Sequence, residues 1–437
     1  MKLKLVFFTY IFTVQFWKLE ADQQRPIYNI AHMVNTIKEL DTYLDKGANS
    51  IEVDVQFTTN GSLHSTYHGF PCDCFRICDN REDFIEYIKY VRNISSPGSS
   101  DYKENFVLLF LDLKSSSLAP QHKYTAGTNL AKALIDHLWN RGDDVTPINI
   151  LFSIGHTGDS DIVRGFMDTL KIENLEHLTD KIGWDVGLND ALLSIQRMWK
   201  NLNIKKNIWQ GDGINNCLAT FRTRGRLRNA LTMRDSLSKI NKVYQWTVDY
   251  SAFFRRSLRE GVDAFITNFP ERLNRVLLEP EYSRQFRLAT IEDDPWERVD
   301  IRHPTDMELL SRTSLVSNVF NTVYEMFNSA MTFAVDFTRN KSYMSLSRIS
   351  ASSIVSGLAD QLNRNATRGQ KVASFCQHTV CTVLHRYYNQ DDDDDYDDDD
   401  DDDTEFDSDT KCRNGGSSIG KEIKKICISL VHYLKLP

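Results

Sequence analysis

The chain has 437 residues, enough for one barrel-sized domain of about 250 residues and an extension. Its formal net charge is −8, but residues 391–410 carry fifteen negative charges and no positive one, so the rest of the chain carries +7. A mildly basic body suits an anionic membrane surface, although an ordinary solvated surface has the same charge. We expect no nucleic-acid partner.

Residues 1–21 are typical of a secretory signal peptide. Lys2 and Lys4 precede an apolar run at residues 5–16, and Ala21 fits a cleavage site. The run is too short to span a bilayer, so we predict a secreted, extracellular protein with no transmembrane segment. In that compartment, the eight cysteines favour disulfides over metal thiolates.

Short apolar runs and helix-like stretches alternate from residue 26 to residue 278. Strands are predicted at 27–32, 50–55, 63–68, 106–112, 148–154, 206–210, 242–248 and 263–267, with a weaker one at 181–185. Helices are predicted at 34–46, 81–93, 125–140, 188–202 and 218–239. This alternation predicts βαβ units and a parallel sheet. Eight or nine strands in about 250 residues indicate an α/β fold with a closed (β/α)8 barrel of the TIM type. An open doubly wound sheet is the alternative.

The pattern changes at about residue 298. Thr305 and Glu308 form a capping-box sequence behind Pro304. Apolar residues then recur at helical spacing: Val316, Val319, Phe320, Val323, Met326 and Phe327. We therefore predict a helical extension at 298–390, whose amphipathic helix packs on the barrel or a partner or, less commonly, contacts a membrane.

Two further segments follow the predicted helical extension. The acidic run at 391–410 cannot form a core and is predicted to be disordered. Residues 411–437 form a short basic amphipathic tail, which could fold back on the acidic run or lie on a membrane.

Three carboxylates lie at or near the ends of predicted strands. Side chains two apart on a strand share a face, so Glu52 and Asp54 would both point into the barrel mouth. They would repel there unless a cation neutralises them or one is protonated. Asp112 would add a third oxygen ligand. Oxygen ligands with room for water suit one Mg²⁺ ion and argue against zinc.

Other polar side chains surround these carboxylates in the predicted barrel. His32 and His68 are candidates for the base and the acid of a proton-transfer reaction, in unassigned order. Lys114 would share a face with Asp112 and could hold a phosphate oxygen. Trp246 could accept a quaternary ammonium group by cation–π contact. These parts suit metal-assisted attack on a phosphodiester.

Nine ordered segments of the chain resemble those of the secreted sphingomyelinase D (phospholipase D) toxins of arachnids such as recluse spiders. They are residues 25–27, 32–35, 47–54, 67–74, 110–114, 209–214, 246–249, 267–270 and the terminal motif 289–296. The resemblance covers roughly 25–297, and the short toxins have no counterpart of residues 298–437. It implies a catalytic domain at 22–297.

The resemblance implies a role for each matching residue. His32 and His68 would be the catalytic pair, and Glu52, Asp54 and Asp112 the ligands of one Mg²⁺ ion. Residues that line or support the substrate pocket would be Lys114, Tyr244, Trp246, Asp249 and Asn268.

The resemblance also implies two disulfides, Cys72–Cys78 and Cys74–Cys217. This leaves the pairing of four cysteines open, namely Cys376, Cys381, Cys412 and Cys427. One departure from the toxins is Gln245, where an aromatic residue is common, and it bears on headgroup preference.

The implied activity is the removal of choline from sphingomyelin or lysophospholipids at a membrane surface by a monomeric enzyme. The lipid's own hydroxyl would attack the phosphorus and give a cyclic phosphate, which makes the enzyme a lyase. A glycerophosphodiester phosphodiesterase with the same histidines and carboxylates is one alternative. Others are an inactive homologue that binds lipid or a receptor, and an acidic extension that sequesters calcium.

Overall fold

The computed structural model of the chain describes residues 24–298, apart from residues 70, 71, 75, 144, 237 and 238, and also describes Glu325. The predicted signal peptide, acidic run and basic tail lie outside the described residues. The predicted helical extension does too, apart from residue 298 and Glu325, and so do the four cysteines after residue 370.

Eight parallel strands within the described range form a closed barrel. In chain order the strands are β1 (Arg25–Ala31), β2 (Ser50–Phe57), β3 (Leu63–Tyr67), β4 (Arg81–Asp83), β5 (Leu108–Lys114), β6 (Asn149–Ile154), β7 (Ile182–Val186), β8 (Ile208–Gly213), β9 (Ile240–Trp246), β10 (Ala264–Thr267) and β11 (Phe286–Leu288). The barrel consists of β1, β2 and β5–β10. Because β1 pairs in parallel with both β10 and β2, the sheet closes on itself. The predicted TIM-type barrel is confirmed, and the open sheet is excluded.

One predicted strand lies outside the barrel wall. The run at 63–68 forms β3, but β3 pairs antiparallel with β2, and β4 extends the same ribbon. A pattern of apolar residues shows that a strand forms but does not show which neighbour it pairs with. The weaker run at 181–185 corresponds instead to a barrel strand, β7.

Helices surround the barrel and connect successive strands. They are α1 (Ile37–Asp45), α2 (Phe84–Ser95), α3 (Lys123–His137), α4 (Ser160–Ile172), α5 (Leu192–Asn201), α6 (Gly225–Asp235), α7 (Ser251–Glu260) and α8 (Pro270–Leu277). Thr36 and Asp83 cap α1 and α2 with side-chain oxygens, which satisfy backbone N–H groups in the first turn. The helices α4, α7 and α8 have no counterpart among the elements predicted from the sequence.

Packed tryptophan side chains close the N-terminal end of the barrel. Trp296 packs edge-on against Trp209 inside the barrel, with ring centroids 6.3 Å apart, and its indole N–H donates to the carbonyl of Asp180 at 3.0 Å. Residue 183 must be glycine, because a Cβ there would lie 2.1 Å from the Trp296 ring. The open end therefore lies where the strands terminate, which is where parallel barrels carry their active sites.

Candidate active site and metal centre

Three carboxylates converge in the mouth of the barrel. Glu52 and Asp54 lie on β2, and the parallel register pairs Asp54 with Asp112 on β5. Each offers one oxygen, and these three oxygens all lie within 4.8 Å of one another. No other group of three potential metal ligands comes this close together in the part of the chain that the structure describes.

Neighbouring groups hold two of these carboxylates by hydrogen bonds. The backbone N–H of Met33 donates to Glu52 Oε2 at 2.6 Å. Asn35 donates from Nδ2 to Asp54 Oδ2 at 2.6 Å and accepts the backbone N–H of Asp54 at 3.0 Å. Met33 has a φ of +52°, which is uncommon for a residue with a side chain. This left-handed turn follows β1 directly and brings the Met33 N–H to Glu52.

Lys114 is the one cation in direct contact with this carboxylate group among the described residues. Its Nζ lies 2.7 Å from Asp54 Oδ1 and 2.6 Å from Asp112 Oδ2. Burial would raise the pKa of Asp54, but Lys114, His68 and Asn35 lower it to about 2. Burial and the charge of Asp54 raise the pKa of Glu52 well above its ordinary value. One lysine among three carboxylates leaves room for more positive charge, and an all-oxygen set fits a hard divalent cation. These residues could hold a metal ion.

The two predicted catalytic histidines face each other, with ring centroids 6.2 Å apart. His68 Nδ1 lies 2.7 Å from the carbonyl oxygen of Gly69. A carbonyl can only accept, so Nδ1 carries a proton, and in the neutral tautomer Nε2 has the lone pair. His32 Nδ1 lies 2.9 Å from Asp73 Oδ2 and 3.3 Å from Asn268 Oδ1. Burial would lower the pKa of His32, but Asp73 outweighs burial and raises it to about 9.

Asp73 is a functional candidate that the sequence analysis did not assign. It is buried, and its Oδ2 accepts from both His32 and Asn268 Nδ2, the latter at 2.9 Å. Burial would raise the pKa of Asp73, but the His32 charge lowers it. The sequence contained an indication of this role, because an acidic residue between Cys72 and Cys74 is fixed in place if both cysteines form disulfides.

Both implied disulfides are present. Cys72 bonds to Cys78, and Cys74 bonds to Cys217 across 143 residues of sequence. Asn216 reinforces the second link by accepting the Cys74 backbone N–H at 2.7 Å and donating to the Cys74 carbonyl at 3.0 Å. The loop that carries Asp73 is therefore attached to the segment that follows β8.

The five residues expected to line or support the pocket divide into two groups. Lys114 and Trp246 are partly exposed in the mouth. Tyr244, Asp249 and Asn268 are buried. Asp249 accepts the backbone N–H of Asn268 at 2.8 Å and its Nδ2 at 3.0 Å, so it supports Asn268 from behind.

Gln245 faces away from the mouth. Its side chain accepts from the Ser257 hydroxyl of α7 at 2.5 Å, on the opposite face of β9 from Tyr244 and Trp246. The residue that differs from the toxins at this position therefore lies between the sheet and the surrounding helices.

Asp185 is a second group at the mouth that the sequence analysis missed. It lies on β7, where Ser153 and the Tyr244 hydroxyl each donate to its Oδ2 at 2.7 Å. Burial, with a smaller contribution from Asp112, raises the pKa of Asp185 to about 7. Like Asp112, it is an aspartate on an apolar strand, but the run that contains it is short and gave only a weak strand prediction.

Comparison with known proteins identifies relatives of the barrel. The sequence profile of the family "Dermonecrotic toxin SPH" matches residues 22–296. The chain is 43% identical over 282 residues to the dermonecrotic toxin SPH of Ixodes scapularis, covering 64% of this chain and 78% of that protein. It is 44% identical over 281 residues to a dermonecrotic toxin of Sicarius terrosus, covering 64% of this chain and 100% of the toxin. A Loxosceles arizonica dermonecrotic toxin is 44% identical over 278 residues, with 64% and 96% covered.

The solved structures that resemble this chain are more distant. An Oleispira antarctica phosphodiesterase in complex with sn-glycerol-3-phosphate is 12% identical, with a TM-score of 0.38, 57% of this chain covered and 97% of that one. A Parabacteroides distasonis glycerophosphodiester phosphodiesterase is 14% identical, with a TM-score of 0.38 and coverages of 58% and 98%. None of the helices in the described part of this chain is long and apolar enough to cross a membrane.

Proposed function

Because the chain belongs to the dermonecrotic toxin SPH family, we propose that it is a secreted, Mg²⁺-dependent phospholipase D of the sphingomyelinase D type. Its substrates would be sphingomyelin and choline-containing lysophospholipids at membrane surfaces. The observation that carries this proposal is the triad Glu52, Asp54 and Asp112, with its ligand oxygens within 4.8 Å of one another. The paired histidines beside the triad supply groups for proton transfer.

The carboxylate triad would hold a single Mg²⁺ ion. When bound, the ion would act as a Lewis acid that takes up negative charge developing on the phosphate oxygens. The backbone N–H of Met33 and the side chain of Asn35 keep the Glu52 and Asp54 oxygens oriented. Lys114 offers a second positive charge to the phosphate.

The two histidines have different hydrogen-bond partners, which assigns them different roles. His68 donates from Nδ1 to the Gly69 carbonyl, so its neutral ring would accept the proton of the attacking lipid hydroxyl at Nε2. His32 is held as an imidazolium by Asp73 and would donate a proton to the choline oxygen as the phosphorus–oxygen bond breaks. The hydroxyl belongs to the substrate, so the product is a cyclic phosphate and free choline. Tethering of the nucleophile replaces a separate water site.

The headgroup would be held at the rim of the mouth. Trp246 is partly exposed there and presents an aromatic face to the choline ammonium, a contact worth about 0.5–2 kcal/mol. The buried Tyr244, Asp249 and Asn268 would keep the rim in shape through their hydrogen bonds. Secretion is supported by the two disulfides in the barrel domain, because such bonds persist in oxidising compartments. We propose that the enzyme is monomeric.

The proposal is tested by choline release from sphingomyelin vesicles with the full chain, with Mg²⁺ or with chelator. We expect release that stops in chelator and falls by about 10²–10⁴-fold in His68→Ala. His64→Ala is the matched control, since His64 is exposed on β3, the strand that His68 follows, and it should retain activity. A lipid product lighter than ceramide phosphate by one water would mark the cyclic phosphate.

Other outcomes would contradict specific parts of the proposal. Only the hydrolysed lipid would overturn the lyase mechanism. Activity confined to glycerophosphocholine would favour the glycerophosphodiester phosphodiesterase. Vesicle binding without any choline release would indicate an inactive lipid-binding homologue.

A further inference from the structure

Glu325 lies beyond the family match and contacts the barrel at its rim. Its carboxylate accepts the backbone N–H of Ser251 at 2.8 Å and also the Ser251 hydroxyl. Its backbone carbonyl accepts from the Arg272 guanidinium at 3.3 Å. The side chain of Glu325 therefore contacts Ser251, and its backbone contacts Arg272.

The barrel presents a built site for this carboxylate. Ser251 begins α7, a helix of 10 residues, and the preceding Tyr250 makes no side-chain capping hydrogen bond. The first N–H groups of a helix need acceptors and favour negative charge, so Glu325 supplies what Tyr250 does not. Ser251 and Arg272 are each only 5% exposed. Two polar side chains that are more than nine-tenths buried thus converge on Glu325.

The same contacts lead to the catalytic residues. Arg272 donates to the backbone carbonyl of Asp249 at 2.9 Å and stacks on Phe269 with its guanidinium carbon 3.7 Å from the ring centre. The Asp249 carboxylate holds the backbone N–H of Asn268. Asn268 in turn donates to Asp73, which holds His32. The segment from Asp249 to Ser251 therefore connects Glu325 to the imidazole.

We propose that Glu325, which lies beyond the family domain, docks on the barrel rim, and that this docking holds the segment from Asp249 to Ser251 and so keeps His32 in position. Glu325 is a positioning residue that acts through Arg272 and Ser251. The docking does not depend on the proposed function, whereas its effect on turnover does.

Hydrogen-exchange mass spectrometry on the full chain tests the docking. In Glu325→Ala, peptides covering residues 249–256 should exchange about fivefold faster, equivalent to the ~1 kcal/mol of a capping interaction. Glu325→Gln keeps an acceptor oxygen and should remain closer to the parent chain. Glu104→Ala, at an exposed turn residue, is the control and should not change this region. Exchange in Glu325→Ala equal to that of the parent chain would overturn the docking.

Turnover tests the positioning role. We expect Glu325→Ala to lower kcat for choline release by about fivefold with a smaller change in KM, and Glu325→Gln to restore most of it. Faster exchange with unchanged kcat would overturn the link to His32. A parent chain that releases no choline would instead contradict the proposed function, and the exchange result would still decide the docking.

Discussion

Both ends of the barrel bury charged groups, but the carboxylate at the closed end has more cationic partners than the carboxylates in the mouth. At the closed end, Asp263 accepts from Arg25 at 3.1 Å, from the Arg234 guanidinium and from the backbone N–H of Val243 at 2.8 Å. Asp263 therefore has two cationic partners. In the mouth, three carboxylates lie together, those of Glu52, Asp54 and Asp112, and Lys114 pairs with Asp54 and Asp112.

The number of cationic partners at each end predicts whether a substitution there changes stability or turnover. A buried carboxylate with good cationic partners contributes little net energy, but removing one partner is strongly destabilising. The ion pairs of Asp263 at the closed end are therefore important for stability. Burial and the negative charge of Asp54 raise the pKa of Glu52, so an ionised Glu52 destabilises the folded chain unless a further cation binds. We infer that substitutions at the closed end change stability at constant turnover, and that substitutions in the triad Glu52, Asp54 and Asp112 lower turnover with little loss of stability.

The largest effect should come from removing the charge that holds His32. Asp73→Asn keeps the side-chain size but loses the partner that makes His32 an imidazolium. We expect kcat for choline release to fall by about 10²–10⁴-fold, the usual contribution of a positioned acid or base. Asp83→Asn, in which Asn also caps α2, is the matched control with parental activity. If Asp73→Asn keeps full turnover, Asp73 does not hold His32 for catalysis.

The corresponding change at the closed end is Asp263→Asn. It leaves Arg25 and Arg234 buried without their carboxylate, so we expect the free energy of unfolding to fall by about 3–5 kcal/mol. Urea unfolding followed by circular dichroism measures this loss. Turnover per folded molecule should stay within a factor of about two. Loss of turnover at unchanged stability would show that the two ends are not separable in this way.

A smaller effect is the pH dependence that His32 contributes to stability. Its pKa is about 9 in the folded chain and 6.5 as an unperturbed group. Below pH 6.5 both states hold the proton, and the pairing with Asp73 contributes fully. As the pH rises towards 9 the unfolded state loses the proton first, so this contribution falls by about 3 kcal/mol.

Urea unfolding in chelator at pH 6–9.5 checks this, with His32→Gln as the reference chain. The difference in unfolding free energy between the parent chain and the variant should shrink across that window. A difference that does not depend on pH would mean that His32 is not held as an imidazolium.

The sequence predicted the mouth better than the closed end for a physical reason. Glu52, Asp54 and Asp112 lie in or at the end of apolar runs, so a local pattern indicates both the strand and the face. Arg25, Arg234 and Asp263 form their cluster from three distant segments, and no local pattern connects them. Asp73 lies in a loop, where periodicity carries no information.

Other parts of the fold depended on information beyond the local pattern. The disulfide partners came from the resemblance to the toxins, because spacing alone does not fix connectivity. The helices α4, α7 and α8, at 13, 10 and 8 residues, gave no prediction. The contact of Glu325 with Ser251 is also absent from the pattern, because it joins the predicted amphipathic helix to one of these helices.

The most direct test of the account is a calorimetric Mg²⁺ titration of the full chain against an Asp54→Asn/Asp112→Asn double variant. The aspartate run at 391–410 is present in both chains, so its contribution cancels in the comparison. We expect the parent chain, and the control Asp79→Asn, to bind one more ion than the double variant. Equal binding by the parent chain and the double variant would contradict the central claim that Glu52, Asp54 and Asp112 form the metal site.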